Sequence, residues 1–133
     1  MKKTFIDLLG EDFTIDFKEH DISKYDVLFH VTPKNRRKYI EEHGILTNQP
    51  GTKALVKTDL VFVSYPIDMT TSDCFRWKDD YHALIILDAK ALNEDGFKFY
   101  DDYFTSEDQS SKRNHLCTDK DIPAKYIKKV VEF

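Results

Sequence analysis

Apolar residues cluster along this chain in a few short, well-separated runs. Residues 82–88, His-Ala-Leu-Ile-Ile-Leu-Asp, hold five consecutive apolar positions between polar ends. Residues 59–65, Asp-Leu-Val-Phe-Val-Ser-Tyr, are similar and stop at Pro66. Runs of this length, bounded by turn residues, predict well-buried strands. Residues 25–31 alternate and also predict a strand. There Val27, Phe29 and Val31 supply an apolar face, while His30 and Thr32, two positions apart, share the other. This pair stands where a buried strand meets its following helix, a place where a ligand can sit.

Thr32-Pro33 reads as the start of that helix, with Thr32 as N-cap and Pro33 at the first helical position. The helix is expected to reach about His43 and to send Tyr39 and Ile40 inward, with Gly44 as a left-handed C-terminal cap. Residues 47–58, with Asn48, Pro50 and Gly51, read as a loop. A second helix is expected from about Met69 to Ser72 onward, carrying Cys74, Phe75 and Trp77 toward the core. Residues 97–100 alternate as a short strand, and the Ser- and Asp-rich residues 101–113 predict a mobile loop. A strand at 115–118, a turn at 122–124 and a strand over 126–133 complete the chain. Residues 1–24 form an N-terminal extension, with a short helix at about 4–9 and a loop or edge strand through 13–17. Strands outnumber helices, and the helices fall in the first half. The prediction is therefore a single α+β domain over 1–133, with a split, mixed or antiparallel sheet and two or three short helices.

Composition narrows the function classes. At 133 residues the chain suits one domain, and a net charge of −4 argues against whole-molecule attraction to nucleic acid or anionic membranes. No segment approaches the roughly 20 apolar residues of a membrane span, so no membrane partner is expected. The opening Met-Lys-Lys lacks the apolar run of a secretory signal, because Asp7 interrupts it. Cys74 and Cys117 are too few for a disulfide scaffold and fit a reducing compartment, so a cytoplasmic protein is expected. His20, His43, His82 and His115 lack zinc-site spacing, and no metal is expected. The absence of a phosphate-binding glycine loop excludes P-loop and Rossmann readings.

The order of these pieces resembles the ADP-ribosyltransferase superfamily, including its DNA- and RNA-modifying toxin branches and the related RNA 2'-phosphotransferases. The matching pieces begin with His30-x-Thr32, followed by a helix ending in Gly44-Ile45-Leu46, and the strand Val61-Phe62-Val63-Ser64-Tyr65. The strand Leu84-Ile85-Ile86-Leu87-Asp88 and the closing Asp121-Ile122-Pro123-Ala124-Lys125-Tyr126-Ile127 complete them. They span about residues 25 to 133. The resemblance implies an enzyme that binds NAD as substrate and transfers ADP-ribose to a macromolecular acceptor, protein, DNA or RNA, as a toxin or effector does. It implies that His30 and Thr32 position NAD, that backbone groups beside them, such as those of Val31, hold the nicotinamide amide, and that Tyr65 stacks on the nicotinamide ring. Cleaving the glycosidic bond of NAD develops an oxocarbenium-like centre, so such a site must hold the leaving group and favour positive charge.

The family's glutamate, expected shortly before the terminal Ile-Pro turn, has no counterpart here. The aligned position falls at His115 or Asn114, with Glu107 and Gln109 the nearest substitutes, and a neutral imidazole supplies no fixed negative charge. A non-catalytic module binding NAD, ADP-ribose or a protein on the same scaffold is the alternative. RNA 2'-phosphotransferase-like chemistry is a third, although the chain is too short for that family's added nucleic-acid-binding lobe.

Each candidate also has a plain structural alternative. His30 can be a core histidine satisfied by a backbone carbonyl, Thr32 a simple N-cap, and Tyr65 a strand-end core residue. Lys34, Arg36, Arg37 and Lys38 can bind phosphate or form a solvated helix face. Arg76 is a phosphate candidate through its guanidinium fork, or a surface partner of Asp79 or Asp80. His115 and Cys117 share a strand face, but nothing in the sequence lowers the thiol pKa.

Overall fold

The computed structural model describes residues 2–4, 14–47, 60–66, 82–101 and 115–132. The strands are β1 (Lys2–Thr4), β2 (Thr14–Asp16), β3 (Glu19–His20), β4 (Val27–Pro33), β5 (Val61–Ser64), β6 (His82–Asp88), β7 (Phe99–Asp101), β8 (His115–Thr118) and β9 (Ile127–Glu132). The α-helices are α1 (Arg37–His43) and α2 (Ala89–Glu94), and single 3-10 turns occupy Lys34–Arg36 and Ala124–Tyr126. Strands β1 and β2 pair with each other. The other seven form one sheet in the order β3-β7-β8-β5-β4-β6-β9, with antiparallel registered pairs throughout. The chain is thus a mixed α/β protein, with an antiparallel sheet and few helices among the described residues.

Strand β6 follows from its composition. It pairs β4 along its full length, from Val27 with Asp88 to Pro33 with His82, and pairs β9 on its other side. Ala83, Leu84, Ile85 and Leu87 are buried on its two faces. One sheet face carries Leu28, Val61, Val63, Ile85, Leu87, Phe99 and Leu116 against Ile40 of α1 and Leu92 of α2. The opposite face holds a smaller cluster of Phe17, Leu60 and Cys117, with Phe62 and Tyr100 packed on it.

Several expectations need correction. Thr32 is not a helix N-cap: it pairs with Ala83, β4 runs on through Pro33, and the 3-10 turn at Lys34–Arg36 separates the strand from α1. Among the described residues, no side chain caps either the turn or α1. The ladder bond to β6 holds Thr32 extended, which overrides its local capping preference. The helices are also not confined to the first half. Asp88 ends β6 and at the same time caps α2, its carboxylate accepting from the Ala91 amide at 3.1 Å. Finally, the His30 and Thr32 face is the face of Leu28, which lies under the helices. The Val27, Phe29 and Val31 face is only half-buried.

Gly44 ends α1 with the expected positive φ, but its ψ of −171° lies outside the left-handed helical well, and of the two residues expected to point inward Ile40 is buried while Tyr39 is exposed. Gly44 has φ +81°, donates to the Ile40 carbonyl at 2.8 Å and would place an added Cβ 2.2 Å from the Ile122 carbonyl oxygen. Ile45 and Ile122 then exchange two backbone bonds of 2.8 Å each. The predicted helix from residue 69, the helix at 4–9 and the loop beyond Asp101 lie largely or wholly outside the described residues.

Candidate functional site

Strands β4 and β5 register at Phe29 with Ser64. Beside that pair the His30 imidazole reaches across and bonds the Phe62 carbonyl oxygen through Nδ1 at 2.7 Å. A carbonyl only accepts, so Nδ1 carries the proton, and in the neutral ring Nε2 is left as a hydrogen-bond acceptor. Burial favours the neutral ring and pushes the His30 pKa below the usual histidine value, outweighing the opposite pull of the Phe62 bond.

Tyr65 follows β5 and falls on the same sheet face as Val63 and His30, by the alternation of side chains and the Phe29–Ser64 register. Its ring does not stand alone. His20 stacks on it at 4.8 Å between centroids and Tyr25 at 5.0 Å, with interplanar angles of 19° and 15°. His20 and Tyr25 lie nearly parallel, joined edge to edge by a 2.8 Å bond between Nε2 and the Tyr25 hydroxyl. On its other side, His20 Nδ1 meets Asp101 Oδ1 at 2.9 Å. A carboxylate accepts, so Nδ1–H donates to it, and a neutral imidazole then receives the Tyr25 proton at Nε2.

Local chain geometry assembles this group. Pairing of His20 with Phe99 sets β3 beside β7, and the Asp101 amide donates to the Lys18 carbonyl at 2.8 Å. The chain then turns. Asp21 Oδ1 accepts from the Ser23 amide at 2.9 Å, and the Tyr25 amide donates to the Ile22 carbonyl at 3.1 Å, bringing Tyr25 back beside His20. Burial first, then the neighbouring Tyr65 and the charges of Asp101 and Asp21, push the Tyr25 hydroxyl up to about 12. The Tyr65 hydroxyl is also raised, by burial and by Asp101.

The predicted site residues divide between the sheet faces. His30, Thr32 and Tyr65 share one face, with Thr32 buried beside Ala83. Val31, paired with Leu84, belongs to the other. His115 pairs with Ser64 and meets its hydroxyl through Nδ1 at 3.5 Å, which also sets it on the face opposite Tyr65. Arg76, Glu107 and Gln109 lie outside the described residues. Of the basic run, Arg37 is engaged by Glu41 at 3.2 Å and Glu132 at 2.9 Å. Sequence reasoning missed His20, Tyr25 and Asp101 as a group. Asp101 lies 81 positions from His20, and no local spacing announces their meeting.

Among the described residues, no group of three or more His, Cys, Asp or Glu side chains is arranged to hold a metal ion, and no helix is long and apolar enough to cross a membrane. No protein-family model matches the chain, and no curated protein does.

Proposed function

We propose that this chain binds NAD and transfers ADP-ribose to a macromolecular acceptor, protein or nucleic acid, as an ADP-ribosyltransferase-like domain. The observation that carries this reading is the common sheet face of His30 and Tyr65, with the His30 Nδ1–H committed to the Phe62 carbonyl. That commitment leaves Nε2 to accept a hydrogen bond from a ribose hydroxyl, while Tyr65 offers an aromatic surface for the nicotinamide ring. The sequence resemblance assigns these two residues the same parts. Thr32 is deeply buried, and its contribution is to hold the strand end that presents His30.

A second reading, a non-catalytic NAD or ADP-ribose binding module on this scaffold, is favoured by one specific observation. Strand β8 carries His115, Leu116, Cys117 and Thr118 and no carboxylate, and His115 is on the face away from Tyr65. Incubation with NAD and measurement of free nicotinamide, for wild type and His30→Ala, separates the readings. Release lost in the variant supports the transferase. Protection of the folded wild type by NAD, without release, supports the module. Neither release nor protection refutes both.

A further inference from the structure

We infer that the hydrogen-bonded pair of His20 and Tyr25 is an autoinhibitory cover on Tyr65, latched by Asp101, which must lift before a flat ring can stack there. The inference rests on the proposed function, since it takes Tyr65 as the residue that receives the nicotinamide ring, and it adds the regulation of that site.

The geometry is that of a stacking platform already occupied. His20 and Tyr25 lie 4.8 and 5.0 Å from the Tyr65 centroid, inclined by 19° and 15°, the spacing and tilt that an aromatic ligand would itself adopt. Their own centroids are 5.9 Å apart with an angle of 10°, and a 2.8 Å bond joins Nε2 to the Tyr25 hydroxyl. Rings on opposite faces of a third ring would stand farther apart and could not bond edge to edge, so both lie on one face of Tyr65. The chain thus places its own rings where a ligand ring would go.

The cover is fastened at its rim. Asp101 Oδ1 accepts the His20 Nδ1–H at 2.9 Å, and His20 in turn accepts the Tyr25 hydroxyl. The Asp101 side chain is 43% exposed and that of His20 18%, so water competes for the latch. Strand β3 has two residues and, among the described residues, pairs with β7 alone at the edge of the sheet. Beneath the turn, Ile22 is 2% exposed and belongs to the core, so the turn stays seated while the two side chains rotate away. Tyr25 also touches the core, and the Lys24 ammonium lies 5.4 Å from its ring centroid. These contacts and the latch set the cost of lifting. A ligand that binds the uncovered form alone has its affinity reduced by the fraction of time the cover is open.

The test compares NAD with ADP-ribose, which lacks the nicotinamide ring, by calorimetric titration of the full chain. Tyr25→Ala removes one ring of the cover, whereas Tyr25→Phe removes the latch bond and keeps the ring. NAD should bind about tenfold more tightly to Tyr25→Ala and about threefold more tightly to Tyr25→Phe than to wild type, with ADP-ribose affinity held to within about twofold. In wild type, the His20 ring protons sense the Tyr65 ring, and NAD at saturation should return their NMR shifts to those of an exposed histidine. His20 resonances that stay put at saturation overturn the inference without recourse to a variant. An NAD affinity unchanged or weakened in folded Tyr25→Phe does the same, as does an equal gain for ADP-ribose, the mark of general loosening. Those outcomes defeat the cover and leave NAD binding, and with it the proposed function, in place. Failure of wild type and of every folded variant to bind NAD defeats the proposed function itself, and the inference falls with it.

Discussion

Burying an imidazole makes its protonation a cost to the fold, a cost that the Nδ1 bond to a carbonyl offsets only in part. The His30 pKa is depressed by burial, so below the ordinary histidine value of about 6.5 the unfolded chain binds a proton that the folded chain refuses, and stability falls with pH until the folded-state pKa is reached. Urea melts at pH 7.5 and 5.5 should show a larger loss for wild type than for His30→Gln. An equal loss would contradict the neutral, carbonyl-bonded imidazole. Tyr25 behaves oppositely on the alkaline side. With its hydroxyl raised to about 12 from an ordinary value near 10, the folded chain keeps a proton that the unfolded chain releases, and stability drains away between those values. Absorbance titration of tyrosinate should show a late-ionising tyrosine that is missing in Tyr25→Phe. Two glycines provide a further contrast. Gly44 and Gly96 both have positive φ, +81° and +85°, but an added Cβ meets the Ile122 carbonyl oxygen at the first and nothing within 4 Å at the second. Gly96→Ala should cost about 1 kcal/mol for conformation alone, and Gly44→Ala at least twice that, read from denaturant midpoints at constant m-value.

Elements were legible in the sequence where burial on both faces left no alternative, as with β6 and β8, whose bounds of 82–88 and 115–118 match the apolar pattern. They were less legible where a distant partner decided the matter. Thr32 looks like a cap until its pairing with Ala83, about fifty positions away, holds it in the strand. Helix α2 was hidden because Asp88 does two jobs, closing β6 and capping the next turn. The candidate site divides in the same way. The common face of His30 and Thr32 follows from a two-residue period, but the meeting of His20, Tyr25 and Asp101 depends on β3 lying against β7, which no spacing encodes. At this scale α1 is fastened by Ile40, fully buried, and by the Ile45–Ile122 bridge. Ile40→Ala should therefore cost about 2–5 kcal/mol. Breaking the exposed Arg37–Glu132 pair with Arg37→Ala should leave the denaturation midpoint almost unmoved, because water and salt screen both charges. Chemical denaturation of both variants checks the ranking, which fails if losing the ion pair destabilises the fold more than losing the isoleucine side chain.

Across the whole molecule, the sheet order interleaves early and late strands, so most pairing is non-local and folding should be slow for a chain of this size, in milliseconds to seconds. The last strand in the order, β9, forms one edge of the sheet among the described residues and presents Lys128, Lys129 and Glu132, charges that discourage a second chain from adding to it. Amide exchange should be slowest in the long ladder of β4 with β6 and faster in two-residue β3, and the reverse order would show that the registered pairs do not govern stability. Between β4 and β5 a single registered pair, Phe29 with Ser64, is joined by an imidazole reaching the Phe62 carbonyl. His30 acts there as a rivet between two leaves, β3-β7-β8-β5 on one side and β4-β6-β9 on the other. Any molecule that grips the outer nitrogen of that ring therefore takes hold of both leaves together, and its arrival would be recorded as a stiffening of the seam, in amides on either side of it, well before any chemistry took place.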